Sequence, residues 1–210
     1  MSASTPDSHD PRPAAVSFVT TEHFTLQGAR AATIAESTGR ATMFLGTVSG
    51  GLIALGLLAQ ASHLGTAFYT FGLILLPTLA LVGLVTFHRA YQSGREDAVY
   101  ADRIARLRAF YFDAAPEITP YLLSVPAVQQ LDVQGLSTSR AQKFLTIAGT
   151  LAVITSILIG SAAGLLGAVL SDRSSAVAFS TGVVIAGATL TLMMRHVAAD
   201  MARGLYPEEE

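Results

Sequence analysis

Four long runs of the chain contain no Asp, Glu, Lys, Arg or His: residues 41–60, 66–87, 144–170 and 174–194. Each meets the ~20 apolar residues that a helix needs to cross a ~30 Å hydrocarbon core. The pattern predicts four membrane-spanning helices in two hairpins, turning near His63 and near Asp172. Pro77 inside the second run predicts a kink, because proline has no backbone N–H to donate.

Between the hairpins the pattern changes to an amphipathic one. Tyr100, Ile104, Leu107 and Tyr111 recur at helical spacing and predict a helix over 89–113, prolonging the second spanning helix. Asp102 and Arg106 are placed to pair at i, i+4 on it. Pro116 and Pro120 should end that helix before a short one over 121–131. On the N-terminal side, Phe24, Gln27, Ala31, Ile34 and Thr38 predict one face of an entry helix. The expected organisation is a disordered tail over 1–20 and a cytoplasmic entry helix over 21–40. A transmembrane hairpin over 41–88 follows, then a cytoplasmic helical segment over 89–140. A second hairpin over 141–196 and a C-terminal tail over 197–210 complete it.

Composition agrees. Hydrophobic residues make up 51% and charged residues 13%, against about 25% charge in a soluble domain. The fold class expected is all-α: a polytopic membrane protein with a cytoplasmic helical layer. A net charge of −2 offers no basic field for nucleic acid. The absence of cysteine excludes disulfides, thiolate metal sites and a thiol nucleophile. The first 40 residues have no short apolar core of a cleavable signal, so the first spanning run is expected to serve as its own insertion signal.

Basic residues set the expected orientation. Twelve of the thirteen lie before the first run, between the second and third, or after the fourth, and Arg173 alone lies in an outer turn. Both termini and the central segment are thereby assigned to the cytoplasm, in a cell membrane. Arg40 and Arg140 open the two hairpins and read as interface anchors, their stems in the acyl region and their guanidiniums among headgroups. The arginine bias, with Lys143 the only lysine, suggests a GC-rich bacterial source.

Arg40, Ala41, Phe44 and Leu45 recur as Arg140, Ala141, Phe144 and Leu145. Both hairpins finish at a histidine, His88 and His196. This suggests a duplicated hairpin, a parallel repeat about an axis along the membrane normal.

Small residues form stripes suited to helix packing in lipid, where close approach replaces the hydrophobic drive. Gly149, Ala152, Ser156, Gly160, Ala163 and Gly167 make one on the third run; Gly46, Gly50 and Ala54 make one on the first; Ala178, Gly182 and Ala186 make one on the fourth. Three stripes exceed the needs of one small bundle, so a homo-oligomer is expected. The competing use is a pore, for which Thr150, Thr155 and Thr181 would supply hydroxyls, although such hydroxyls usually bond back to their own helix.

No catalytic motif, phosphate-binding loop or dinucleotide motif is present. Glu36, His88, His196 and Asp200 gather near the expected cytoplasmic mouth, but they read as interfacial side chains. No cofactor or metal is expected. The plan of an entry helix, a tightly turned hairpin and following cytoplasmic helices is similar to that of small bacterial membrane effector modules of the SLATT class, which usually carry one hairpin where this chain has two. The expected function is therefore non-enzymatic: a homo-oligomeric, channel-like or membrane-permeabilising module controlled by its cytoplasmic helices. The alternative is a non-conducting scaffold that presents those helices to a cytoplasmic protein.

Overall fold

The computed structural model describes residues 12–114 and 146–204, all helix apart from two tight turns and the cap residue Thr146. Helix α1 covers Arg12–Ala61, α2 Thr66–Ala114, α3 Ile147–Leu170 and α4 Ser175–Gly204. Each contains a stretch long and apolar enough to cross a membrane, and no strand occurs among the described residues. The expected entry helix and first spanning helix are one continuous helix, which begins at Arg12 inside the segment read as a tail. Likewise α2 runs unbroken through Pro77 and on past the end of its apolar run. At 50 residues, α1 is about 75 Å long, more than twice a hydrocarbon core. The short helix expected over 121–131 and Arg140 lie outside the described residues.

The helices divide between two compact units. The first holds the described parts of Met1–Ile34 and Arg95–Gly135; the second holds Ala35–Gly94 and the described parts of Leu136–Glu210. In the first unit the stripe on α2 faces inward as its spacing required, with Ile104 buried and Tyr100, Leu107 and Tyr111 half-buried. The face expected on α1 is different. Phe24, Gln27, Ala31, Ile34 and Thr38 are all exposed, and the buried or half-buried positions are His23, Leu26, Arg30, Thr33 and Ser37, a rotation of roughly a quarter turn. The physical reason is an ion pair: Arg30 holds Asp97 of α2, and that contact turns a polar edge of α1 inward. Asp102 and Arg106 form the expected i, i+4 pair at 2.8 Å.

The second unit is a bundle of two hairpins whose turns have the same construction. Ser62 and Ser171 each donate both the backbone N–H and the side-chain hydroxyl to the carbonyl four residues back. The two residues after each serine, His63 and Leu64 in one turn and Asp172 and Arg173 in the other, have left-handed backbone. Leu64 and Arg173 then donate to a carbonyl five residues back, closing the helix in the same way. The turns therefore superpose at a spacing of 109 residues, whereas the arginine match between Arg40 and Arg140 has a spacing of 100. In the register fixed by the turns, Gly51, Ala54, Leu57, Ala59, Ser62 and Ala67 coincide with Gly160, Ala163, Leu166, Ala168, Ser171 and Ala176. Arg40 then falls opposite Gly149 and not Arg140.

The equivalent glycines show how the hairpins differ. A methyl group on Gly51 would lie 3.0 Å from a methyl of Leu79 and 3.5 Å from Leu75, so leucine side chains space α1 from α2. A methyl group on Gly160 would lie 2.5 Å from the Gly182 carbonyl oxygen and 2.6 Å from the Ala186 methyl. On Gly164 it would lie 2.6 Å from the Ala178 carbonyl oxygen. Backbone meets backbone along the α3–α4 crossing, which only glycine permits.

Gly160→Leu is accordingly expected to drive α3 from α4 and to destabilise the folded chain by at least about 1–3 kcal/mol. Gly187→Leu, at an open position of α4, should change little. Thermal unfolding of the two purified variants in detergent checks the contrast.

Candidate functional site

The sequence directs attention to three places: the small-residue stripes, the buried hydroxyls and the charged residues flanking the apolar runs. The stripe on α3 is occupied within the chain. Gly160 and Gly182 form the backbone contact just described, and Gly167 lies against Thr181 at ordinary van der Waals distance. Gly149 is buried at the start of α3, where its N–H donates at 3.0 Å to the capping hydroxyl of Thr146. The stripe on α1 is different. A methyl group on Gly39, Gly46 or Gly50 would meet nothing within 4 Å among the described residues. With exposed Thr42 and Ser49 between them, these residues share one face of α1 that no other described helix covers.

Thr155 and Ser156 mark a cross-section where all four helices meet. Thr155 is fully buried, with its Oγ1 2.5 Å from where a methyl on Gly83 of α2 would sit, and the Phe44 ring of α1 closes on the same glycine at 2.8 Å. That hydroxyl has no hydrogen-bond partner among the described residues. Ser156, also buried, donates to the Met193 sulfur of α4 at 3.7 Å. Three turns earlier in α2, Gly72 repeats the arrangement and receives Leu165 of α3 and Leu55 of α1. Gly72, Gly83 and Gly164 were not legible as packing residues. The signal for the first two was a spacing of eleven, one face of a helix after three turns.

The three hydroxyls proposed to line a pore do not share a surface. Thr150 is exposed, Thr155 is enclosed in the bundle and Thr181 is half-buried beside Gly167. Elsewhere hydroxyls bond back along their own helix, as Thr42, Thr47, Thr78, Thr86 and Thr191 do to the carbonyl four residues earlier.

Charge gathers where the first two apolar runs end. Arg40 Nε donates to Glu36 Oε1 at 2.9 Å, and Arg89 Nη2 reaches the same oxygen at 3.5 Å. Gln92 bonds the His88 ring at 3.0 Å and lies 3.5 Å from Arg89 Nη1. The hydrogen bond from Arg40, then the charge of Arg89, hold the Glu36 carboxyl below the usual carboxylate range. Glu36 is thus committed to arginines, and among the described residues no three His, Asp or Glu side chains come together as a metal site would require. At the turn end of the bundle, the guanidinium of Arg173 stacks on the Tyr69 ring at 5.3 Å, joining one hairpin to the other.

In the first unit, Arg30 grips Asp97 with two bonds, Nε to Oδ1 at 2.6 Å and Nη2 to Oδ2 at 3.2 Å, which raise the affinity of the guanidinium for its proton. His23 packs edge-on to Tyr111 with ring centroids 6.0 Å apart, and Tyr111 donates to Thr20 at 3.4 Å. Burial, then the charge of Arg108, lower the His23 pKa and favour the neutral ring. These contacts brace two helices and bring no reactive groups together.

No protein-family model matches the chain, and neither curated proteins nor solved structures gave a match to it. The likeness to SLATT modules thus remains one of arrangement.

The lowered carboxyl of Glu36 gives a test of the boundary cluster. Because its folded-state pKa lies below the unfolded value, its contribution to stability is present above the ordinary glutamate range and lost as pH falls through the folded value. Carbon-13 titration of Glu36 in detergent micelles should find it titrating below a free glutamate. In the Arg40→Gln variant the titration should move back up toward it.

Proposed function

We propose that the chain is a non-enzymatic integral membrane protein of the cell membrane, that it self-associates through α1, and that it presents the paired helices of its first unit to a cytoplasmic protein. Membrane insertion is supported by four uncharged runs of spanning length, and the cytoplasmic placement of both termini by twelve basic residues against one. A non-enzymatic role is supported by the absence of ionisable side chains from all four runs, since membrane chemistry at depth needs such groups.

The observation that carries self-association is the open face of α1. In lipid, helices associate through small residues that admit close approach. Gly160, Gly164 and Gly182 are used where α3 crosses α4, whereas Gly39, Gly46 and Gly50 have nothing against them among the described residues. A second copy of α1 would give that face the backbone contact that Gly160 and Gly182 already make. For presentation, the supporting feature is the first unit, where Phe18 is 75% exposed and Phe24 69% on helices pinned by the Arg30–Asp97 pair.

A second reading, the channel-like or membrane-permeabilising module, is favoured by one feature. The face of α1 carries Thr42 and Ser49 between its glycines, so an oligomer built around it would place hydroxyls on its axis. In this reading the lining belongs to α1, and Thr155 and Ser156 of α3 stay in the packing layer.

Chemical crosslinking of the full chain in native membranes should give discrete oligomers that Gly46→Leu and Gly50→Leu shift toward monomer, while Gly187→Leu leaves them intact. An undiminished ladder in the α1 variants would exclude that interface. For the second reading, planar bilayers containing well-folded oligomers should show single-channel steps that change with Ser49→Val. Silence from such oligomers would leave the scaffold.

A further inference from the structure

We propose that Arg40 and Arg89 together bind a phosphate group, either that of an anionic lipid headgroup or free phosphate. The lipid form of this proposal rests on the membrane reading above; the pair itself does not.

Position comes first. Arg40 immediately precedes the uncharged run 41–60, and Arg89 follows the uncharged run 66–87 with only His88 between. The antiparallel hairpin therefore sets both guanidiniums at one end of its apolar segment. Glu36 then draws them to a single oxygen, at 2.9 Å and 3.5 Å.

Stoichiometry leaves the cluster unbalanced. Among the described residues one carboxylate faces two guanidiniums, so their summed charge is positive by one. A guanidinium carries five N–H donors. Arg40 commits Nε to Glu36, and Arg89 reaches both Glu36 and Gln92 only at 3.5 Å. Arg30 provides the contrast within the same chain: its carboxylate partner is its own, held by two bonds of 2.6 Å and 3.2 Å. That pair is complete. The cluster at Glu36 is not.

Accessibility follows. The side chains of Arg40 and Arg89 are 56% and 42% exposed, so an anion can approach both. Phosphate is the anion that fits. Its oxygens match the planar fork of a guanidinium, and a phosphodiester monoanion carries the single negative charge that balances the excess. Basic pockets at helix ends beside the bilayer are a recurrent way of holding anionic headgroups. Phosphate and the Glu36 carboxylate then compete for the same donors, which fixes the sign of one variant: removing the carboxylate charge should tighten binding.

The full chain in nonionic detergent is titrated by calorimetry with three probes: short-chain phosphatidylglycerol, short-chain phosphatidylcholine and inorganic phosphate. Binding of phosphatidylglycerol in preference to phosphatidylcholine supports the pair with lipid as its source; binding of inorganic phosphate at least as tightly supports it with free phosphate as its source. Arg40→Gln and Arg89→Gln should each weaken the bound probe about tenfold, the loss of a charge-assisted hydrogen bond. Glu36→Gln should tighten it, a gain that misfolding does not produce. Arg195→Gln, which removes the same charge at the end of the fourth apolar run, should leave affinity within about twofold. The proposal is overturned if inorganic phosphate does not bind and phosphatidylglycerol shows no preference, or if Arg195→Gln weakens binding as much as the paired variants do. Alkaline carbonate extraction is read separately: release of the chain from membranes would refute the membrane reading, while the phosphate titration still decides the arginine pair.

Discussion

How closely α3 approaches its two neighbours governs the bundle, because that helix touches α4 through backbone and sets Thr155 and Leu165 against the glycines Gly83 and Gly72 of α2. Leu151, Thr155 and Ser156 are its most enclosed large side chains, and the last two sit side by side where the four helices converge. A hydroxyl without a partner is usually expensive to bury. Here the hydroxyl faces a glycine, so no side chain holds α3 off α2 at this level. A larger residue at 83 would meet both that hydroxyl and the Phe44 ring.

The same economy of contacts separates the two units. In the bundle, cohesion comes from shape, and Thr42, Thr47, Thr78, Thr86 and Thr191 within the apolar runs turn back to their own helices. In the first unit, cohesion comes from ion pairing and aromatic edges, with Arg30, Asp97, His23 and Tyr111 as the bracing groups. Helices α1 and α2 each contribute residues to both units.

Much of the architecture was legible because it rests on periodicity and on charge. Four uncharged runs, two turns and the stripe from Tyr100 to Tyr111 follow from counting residues. The inward face of α1 was not legible, because an apolar spacing through Phe24 and Ile34 was overruled by Arg30, whose partner lies 67 positions away. The shared construction of the two turns was hidden for a different reason: turns are defined by backbone angles, and His63-Leu64 shares no residue type with Asp172-Arg173. At the candidate site, the roles of Gly160 and Gly182 differ from those of Gly46 and Gly50 only by what lies opposite them. A stripe has no means of naming its partner.

The two hairpins share a turn but differ at the crossing beside it, and their histories of substitution should differ as a result. A new side chain at Gly51 displaces the flexible tip of a leucine, so the first hairpin can absorb change by trading one rotamer for another. A new side chain at Gly160 confronts a carbonyl that has nowhere to go. At these two equivalent positions the first hairpin yields by moving a side chain, whereas the second can yield only by moving a helix.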